Sequence, residues 1–177
     1  MIDAYRINRL KHIIPAVLIF AFWLQFNICP AQPDPPLFQG EVNADNINLR
    51  SDSSVTSEVI SILNKNEKVE VVLELYEWYK IRLPKPAPCY IKKNLAECSG
   101  MSPENKCKNA RVLKNKVNIR LHPAESSPIL GVADKNETVN VIKEKGDWYK
   151  IEPTQNSFGW INKIFINKAP VRDKKVR

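Results

Sequence analysis

Glycine is scarce in this chain, five residues in 177, and histidine scarcer still, with two. No glycine-rich phosphate loop and no Gly-x-Ser-x-Gly elbow occurs, and the cysteines and histidines show no metal-ligand spacing. Nucleotide cradling, elbow-type hydrolysis and metal chemistry are excluded on these grounds, and no cofactor is expected. The apolar runs stop short of the roughly 20 residues that a spanning helix needs. Beyond the N-terminal segment no stretch carries a long helical period. The charge balance is basic, 27 Lys and Arg against 19 Asp and Glu, but no long run of like charge appears. Such dispersion fits a solvated surface, with weak affinity for an acidic polymer or membrane as the alternative.

What is present is a repeat. "EWYKI" at Glu77 to Ile81 returns as "DWYKI" at Asp147 to Ile151. Shifting the chain by that offset aligns residues 42–93 with residues 112–163 without a gap: "INLRSD" lies over "VNIRLH", "NKNEKVEVV" over "DKNETVNVI", and "CYIKK" over "GWINK". Roughly a third of the pairs are identical and most others exchange one apolar residue for another, as a duplicated core requires.

The first residues read differently. Arg6, Arg9 and Lys11 precede the apolar run from Ile13 to Leu24, and "CPAQ" follows. That order is a secretory signal over residues 1–31, with Ala31 before the cut and Gln32 after it. Cys29, two places upstream of the cut, is an imperfect cleavage residue, so a signal anchor is the alternative fate. In either case the body of the protein is exported, periplasmic or extracellular, and meets the membrane only through an uncleaved N-terminus. Disulfides survive there. Cys89, Cys98 and Cys107 remain after cleavage, and all three pairings are open. A Cys98–Cys107 bond would staple the junction between the repeats.

Residues 32–40 are proline-rich and read as an extended spacer. Residues 41–97 and 110–168 hold the two repeats, residues 98–109 a polar linker, and residues 169–177 a basic tail. Within each repeat the apolar spacing is that of strands: Ile47 and Leu49, Val69 and Val71, Val139 and Val141 alternate with polar neighbours. Turn formers separate them, with "KGD" at Lys145 to Asp147 reading as a tight hairpin. Short strands in units this small suit a barrel closed on itself. The expected fold is all-β, two separately cored barrels in tandem after an N-terminal signal or anchor helix.

An Asn-hydrophobic-Arg strand, a turn, a hydrophobic strand, a "V.V" strand, a hairpin, "W..I" and "GW(I/V)" is the order of bacterial SH3 domains. Residues 117–166 resemble that pattern nearly throughout. The first repeat departs from it at Ser53, Tyr76, Glu77, Cys89 and Tyr90. The resemblance implies two SH3-like barrels, and a binding or spacing module of secreted and envelope proteins that sometimes recognises peptidoglycan. It implies no activity. The implied partner is cell-wall peptidoglycan or an envelope protein, with a structural adaptor free of glycan binding as the alternative.

Catalytic constellations are missing from the repeats. Cys89 with His122 is a weak dyad candidate, and a structural cysteine is the simpler reading. Glu74 with Glu77, and Glu144 with Asp147, are carboxylate pairs flanking a hairpin, where charges face water. The chain is therefore read as no enzyme. Nucleic acid is a poor partner, since the basic residues are interleaved with Glu and the chain leaves the cytoplasm.

The candidate ligand-binding residues are aromatic and basic. Tyr149 and Trp160 are taken as contact residues and Arg120 as a carboxylate partner, with Tyr79, Tyr90 and Arg50 at the corresponding positions of the first repeat. Trp and the following Tyr point to opposite faces of a strand. Trp78 and Trp148 are assigned to the core, Tyr79 and Tyr149 to the surface. For the recurring Asn48–Arg50 and Asn118–Arg120 the structural reading is an arginine that pins the next turn.

Overall fold

A computed structural model describes residues 35–168; the expected signal segment, the expected cleavage site at Ala31 and Gln32, and the basic tail lie outside them. The described residues form fourteen strands and two short 3-10 turns. The first repeat contributes β1 (Phe38–Val42), β2 (Ile47–Arg50), β3 (Val59–Leu63), β4 (Lys68–Leu75), β5 (Trp78–Arg82) and β6 (Cys89–Lys92). A hairpin of β7 (Ala96–Met101) and β8 (Cys107–Val112) follows. The second repeat adds β9 (Val117–Arg120), β10 (Ile129–Ala133), β11 (Thr138–Lys145), β12 (Trp148–Ile151), β13 (Phe158–Asn162) and β14 (Ile166–Lys168). The alternation read from sequence holds, with Ile47, Leu49, Val69, Val71 and Val139 all buried.

The strands make two seven-stranded antiparallel sheets, the two SH3-like barrels expected, but their membership is not the sequence order. One sheet runs β14-β1-β4-β5-β13-β2-β3 and the other β10-β9-β6-β12-β11-β8-β7. The repeats have traded their last strands: β13 lies between β5 and β2 of the first repeat, and β6 between β12 and β9 of the second. The expectation of two separately cored barrels is thereby overturned. Residues 41–97 and 110–168 are repeats in sequence, yet each sheet draws on both. The buried residues form one continuous cluster from Val42 to Ile166.

Two features of the sequence account for the exchange. The connection from β5 to β6 carries Pro84, Pro86 and Pro88, none of which can donate to a ladder. It makes one turn, closed by the Ala87 N–H on the Pro84 carbonyl at 2.9 Å, and passes to the other sheet. Side-chain volume is the second feature. A Cβ on Gly159 of β13 would lie 2.9 Å from both Cγ and Cδ1 of Leu49 and 3.1 Å from Ile60 Cδ1. Without exchange Cys89 would occupy that place, and its Cβ would meet Leu49. Against Ile151 in the second barrel Cys89 is fully buried.

Each exchanged segment is latched in the same way. Lys163 pairs with Glu74 and lies 5.4 Å from the Tyr79 ring, while Lys93 pairs with Glu144 and lies 5.2 Å from the Tyr149 ring. The Lys163 and Lys93 N–H groups donate to the Glu77 and Asp147 carbonyls. Gly131 accommodates the crossing between barrels, because a Cβ there would stand 1.9 Å from the Asn156 carbonyl oxygen.

The proline-rich spacer and the linker are both shorter than their composition suggests. Phe38 to Gly40 pair with β4, so the spacer ends in a strand. The linker is largely the β7–β8 hairpin, closed by the Cys98–Cys107 disulfide, and among the described residues Cys89 is the free thiol.

Candidate functional site

Strand exchange decides which side chains become neighbours. On the first barrel Trp160 of β13 stands opposite Lys80 of β5 and Arg50 of β2. On the second, Tyr90 of β6 stands opposite Lys150 of β12 and Arg120 of β9. Residues directly opposite on antiparallel strands share a face. Each barrel therefore displays a cation–aromatic–cation row assembled from both repeats, and all six residues are half-buried.

Trp160 and Arg120, expected together, thus belong to different barrels; Trp160 accompanies Arg50 and Tyr90 accompanies Arg120. The first row is the more aromatic. Lys80 Nζ lies 4.6 Å from the Phe158 ring centre and 5.7 Å from that of Trp160. Beside it lies a cleft of about 440 Å³ lined by Lys80, Phe158, Trp160, Ile129 and Gly131 among others. Among the described residues neither Lys80 nor Lys150 is in an ion pair. Both ammonium groups can meet a ligand carboxylate, and the rings offer flat apolar contact.

The two arginines hold their own turns. Arg50 Nη1 donates to the Ser57 carbonyl at 2.7 Å and Arg120 Nη1 to the Ser127 carbonyl at 2.8 Å. The turn-pinning reading is what the geometry shows, and it fixes each guanidinium in place, with donors left over.

Tyr79 and Tyr149 correct the surface assignment. They are 7% and 8% exposed and belong to the core cluster. The signal was in the sequence: Tyr79 is two residues from Ile81, and Tyr149 from Ile151, so each tyrosine shares the face of a fully buried isoleucine. Trp78 points to the face away from Tyr79 and is only half-buried, so its core assignment fails, whereas Trp148 is buried at 9% exposure, as assigned, although it points away from Tyr149. Neither tyrosine serves as a surface contact.

The groups weighed for chemistry sit in unreactive settings. Burial pushes the Cys89 thiol up to about 12, against a hydrogen bond to Ser157 that pulls it down. A thiol so held is no nucleophile at neutral pH. His122 bonds Glu58 at the surface instead. The hydrogen bond from Lys163 draws Glu74 below its ordinary value, and that from Lys93 does the same for Glu144. A general acid needs the opposite shift. Among the described residues no cluster of His, Cys, Asp and Glu could hold a metal.

No curated protein matches this chain. Among solved structures it is similar to NlpC2 from Trichomonas vaginalis, with 13% identity and a TM-score of 0.22. That match covers 78% of this chain and 50% of the other, so the chain spans about half the length of that relative. The bacterial SH3 domain family matches twice, at residues 45–87 and 115–167, together more than half of the chain. The chain accordingly belongs to the bacterial SH3 domain family, with two copies of the domain.

Proposed function

We propose that the chain is an exported, non-catalytic binding protein that holds cell-wall peptidoglycan or a protein of the cell envelope on its two composite rows. The observation that carries this reading is the repeated Arg–aromatic–Lys arrangement, Arg50–Trp160–Lys80 and Arg120–Tyr90–Lys150, built twice from exchanged strands. A ring between two cations suits a sugar or peptide face that carries a carboxylate nearby. The signal-like order of residues 1–31 supplies the export that such a ligand requires. Each row is small, so each contact is weak, in the micromolar to millimolar range by order of magnitude.

Sedimentation with purified sacculi tests the reading. At low salt the intact chain is expected to pellet, and Trp160→Ala with Lys80→Ala to remain largely in the supernatant while keeping its melting transition. A wild-type chain that stays in solution overturns wall binding and favours the adaptor, for which capture by an envelope protein through the same rows is the result to see. A folded double variant that pellets like wild type rules out the first row as the contact surface.

A further inference from the structure

The two repeats align without a gap, so a difference confined to one of them stands out against its counterpart. One such difference lies at one end of the second barrel. There a cleft of about 390 Å³ is lined by Lys92, Lys114, Lys116 and Arg120, with Glu125 on its rim and Trp148 in its wall. Four cations face one carboxylate, a local charge of +3. At the counterpart positions of the first barrel stand Asn162, Ala44, Asn46, Arg50 and Val55, with Asp45 in the place of Asn115, so one cation meets one carboxylate and the charge is zero.

Two of the four cations, Lys92 and Arg120, are engaged within the fold. Lys92 holds Glu125, the one acid of the lining, and a second carboxylate outside the lining, that of Asp134, accepts from the Lys116 backbone N–H at 2.9 Å. Neither Lys114 nor Lys116 is in an ion pair among the described residues. Backbone geometry adds an independent observation. Lys116 sits at φ +54, a left-handed conformation, and its counterpart Asn46 at φ +60. Asparagine enters that region readily and lysine does not. The second repeat carries a lysine where asparagine is easier, and that lysine is one of the residues lining the basic cleft.

We propose that this cleft is an oxyanion site particular to the second barrel, which takes a phosphate- or carboxylate-bearing group. Arg120, fixed by its bond to Ser127, offers directed donors, and the flexible lysines offer point charges that follow the anion. The Trp148 edge and the aliphatic lysine stems give the rest of the ligand an apolar wall. Because the lysines are exposed, binding weakens as salt screens them.

Titration of the isotope-labelled intact chain with pyrophosphate, and separately with citrate, tests the site by amide and indole shifts in the NMR spectrum. Saturable shifts at residues 114–118 and at the Trp148 indole are expected, smaller at higher salt, with no matching change at residues 44–48. The tighter of the two probes identifies phosphate or carboxylate as the source of the anion. Lys114→Ala with Lys116→Asn installs the residues of the first repeat, relieves the left-handed lysine, and is expected to weaken binding by about three- to tenfold without lowering the melting temperature. Absence of localised shifts with both probes overturns the proposal, as do equal shifts at residues 44–48 or unchanged affinity in the folded double variant. The salt titration of the unsubstituted chain stands even if that variant does not fold. Neither probe contains glycan or peptide, so failure here is separable from failure of the wall-binding reading.

Discussion

Gly159→Ala adds one methyl group to β13 where that strand passes beneath Leu49 and Ile60. The new Cβ would lie 2.9 Å from two Leu49 carbons and 3.1 Å from Ile60 Cδ1. Leu49 is fully buried and Ile60 nearly so, and neither can swing into solvent. Two effects oppose each other. Replacing a glycine in a strand interior restricts the unfolded chain and gains about 0.5–1 kcal/mol. Overpacking a filled core costs about 1–3 kcal/mol. The clash prevails, and a net loss of roughly 0.5–2 kcal/mol is expected, a fall of roughly 2–8 °C in melting temperature for a folded unit of this size.

Calorimetry or circular dichroism on wild type, Gly159→Ala, Leu49→Ala and the double variant measures the coupling. Truncating Leu49 alone costs about 2–5 kcal/mol, and in that background alanine at 159 is expected to cost nothing or to stabilise. A Gly159→Ala chain that melts at or above the wild-type temperature refutes the packing argument. An alanine penalty that persists without the Leu49 side chain does the same. With it falls the explanation that the space at Leu49 selects β13 over β6.

Four further outcomes follow from the same structure. Residues 110–168 expressed alone lack β6 and the β7 partner of β8, so no cooperative monomer is expected until residues 35–109 are supplied in trans; a monomer with a sharp transition by itself would contradict the exchange. Cys89 is expected to resist alkylation in the native protein at pH 8 and to react on unfolding, as mass spectrometry would read. Glu74 and Glu144 are held below 4.5 by Lys163 and Lys93, so their contribution is present above that value and lost as pH falls through the lower folded value; Lys163→Met is expected to flatten this acid limb in melting curves, and an unchanged limb counts against the latch. Intact mass of the exported protein is expected to start at Gln32 with net charge +6, since cleavage removes Asp3, Arg6, Arg9 and Lys11 from a chain of net charge +8; retention of residues 1–31 in the membrane fraction supports the anchor instead.

The repeat, the strand alternation and the turn-pinning arginines are written in short segments, and these were legible. Even the hairpin of the first repeat forms without its glycine, Tyr76 adopting φ +46 where Gly146 has +55. The exchange was not legible, for a physical reason. β6 and β13 carry the same alternation and both end in a 3-10 turn, so either would satisfy the pattern of either barrel. What separates them is a volume difference, Gly159 against Cys89, whose meaning depends on Leu49 more than a hundred residues away. The polar composition of residues 98–109 likewise hid a hairpin, although the Cys98–Cys107 pairing that closes it was among the three left open. For the tyrosines the signal was present in the two-residue spacing to Ile81 and Ile151, and the size of tryptophan outweighed it.

Exchange also changes what duplication can do for binding. Two barrels on a flexible tether gain apparent affinity through an effective concentration set by the tether, and each tolerates loss of the other. Here the barrels share one buried cluster and trade strands, so neither row exists without both repeats. The rows are consequently joined by exchanged strands and not by a flexible tether, which narrows the range of their separation. A polymer whose repeat matches that separation engages both at once, with little ordering left to oppose binding, whereas a mismatched one engages a single row and loses the gain entirely. The rows also differ, Trp160 with Phe158 on one and Tyr90 beside the basic cleft on the other. Under the wall-binding reading the chain therefore discriminates by spacing and by the order of an apolar and an anionic feature along its ligand, which two identical tethered domains could not do.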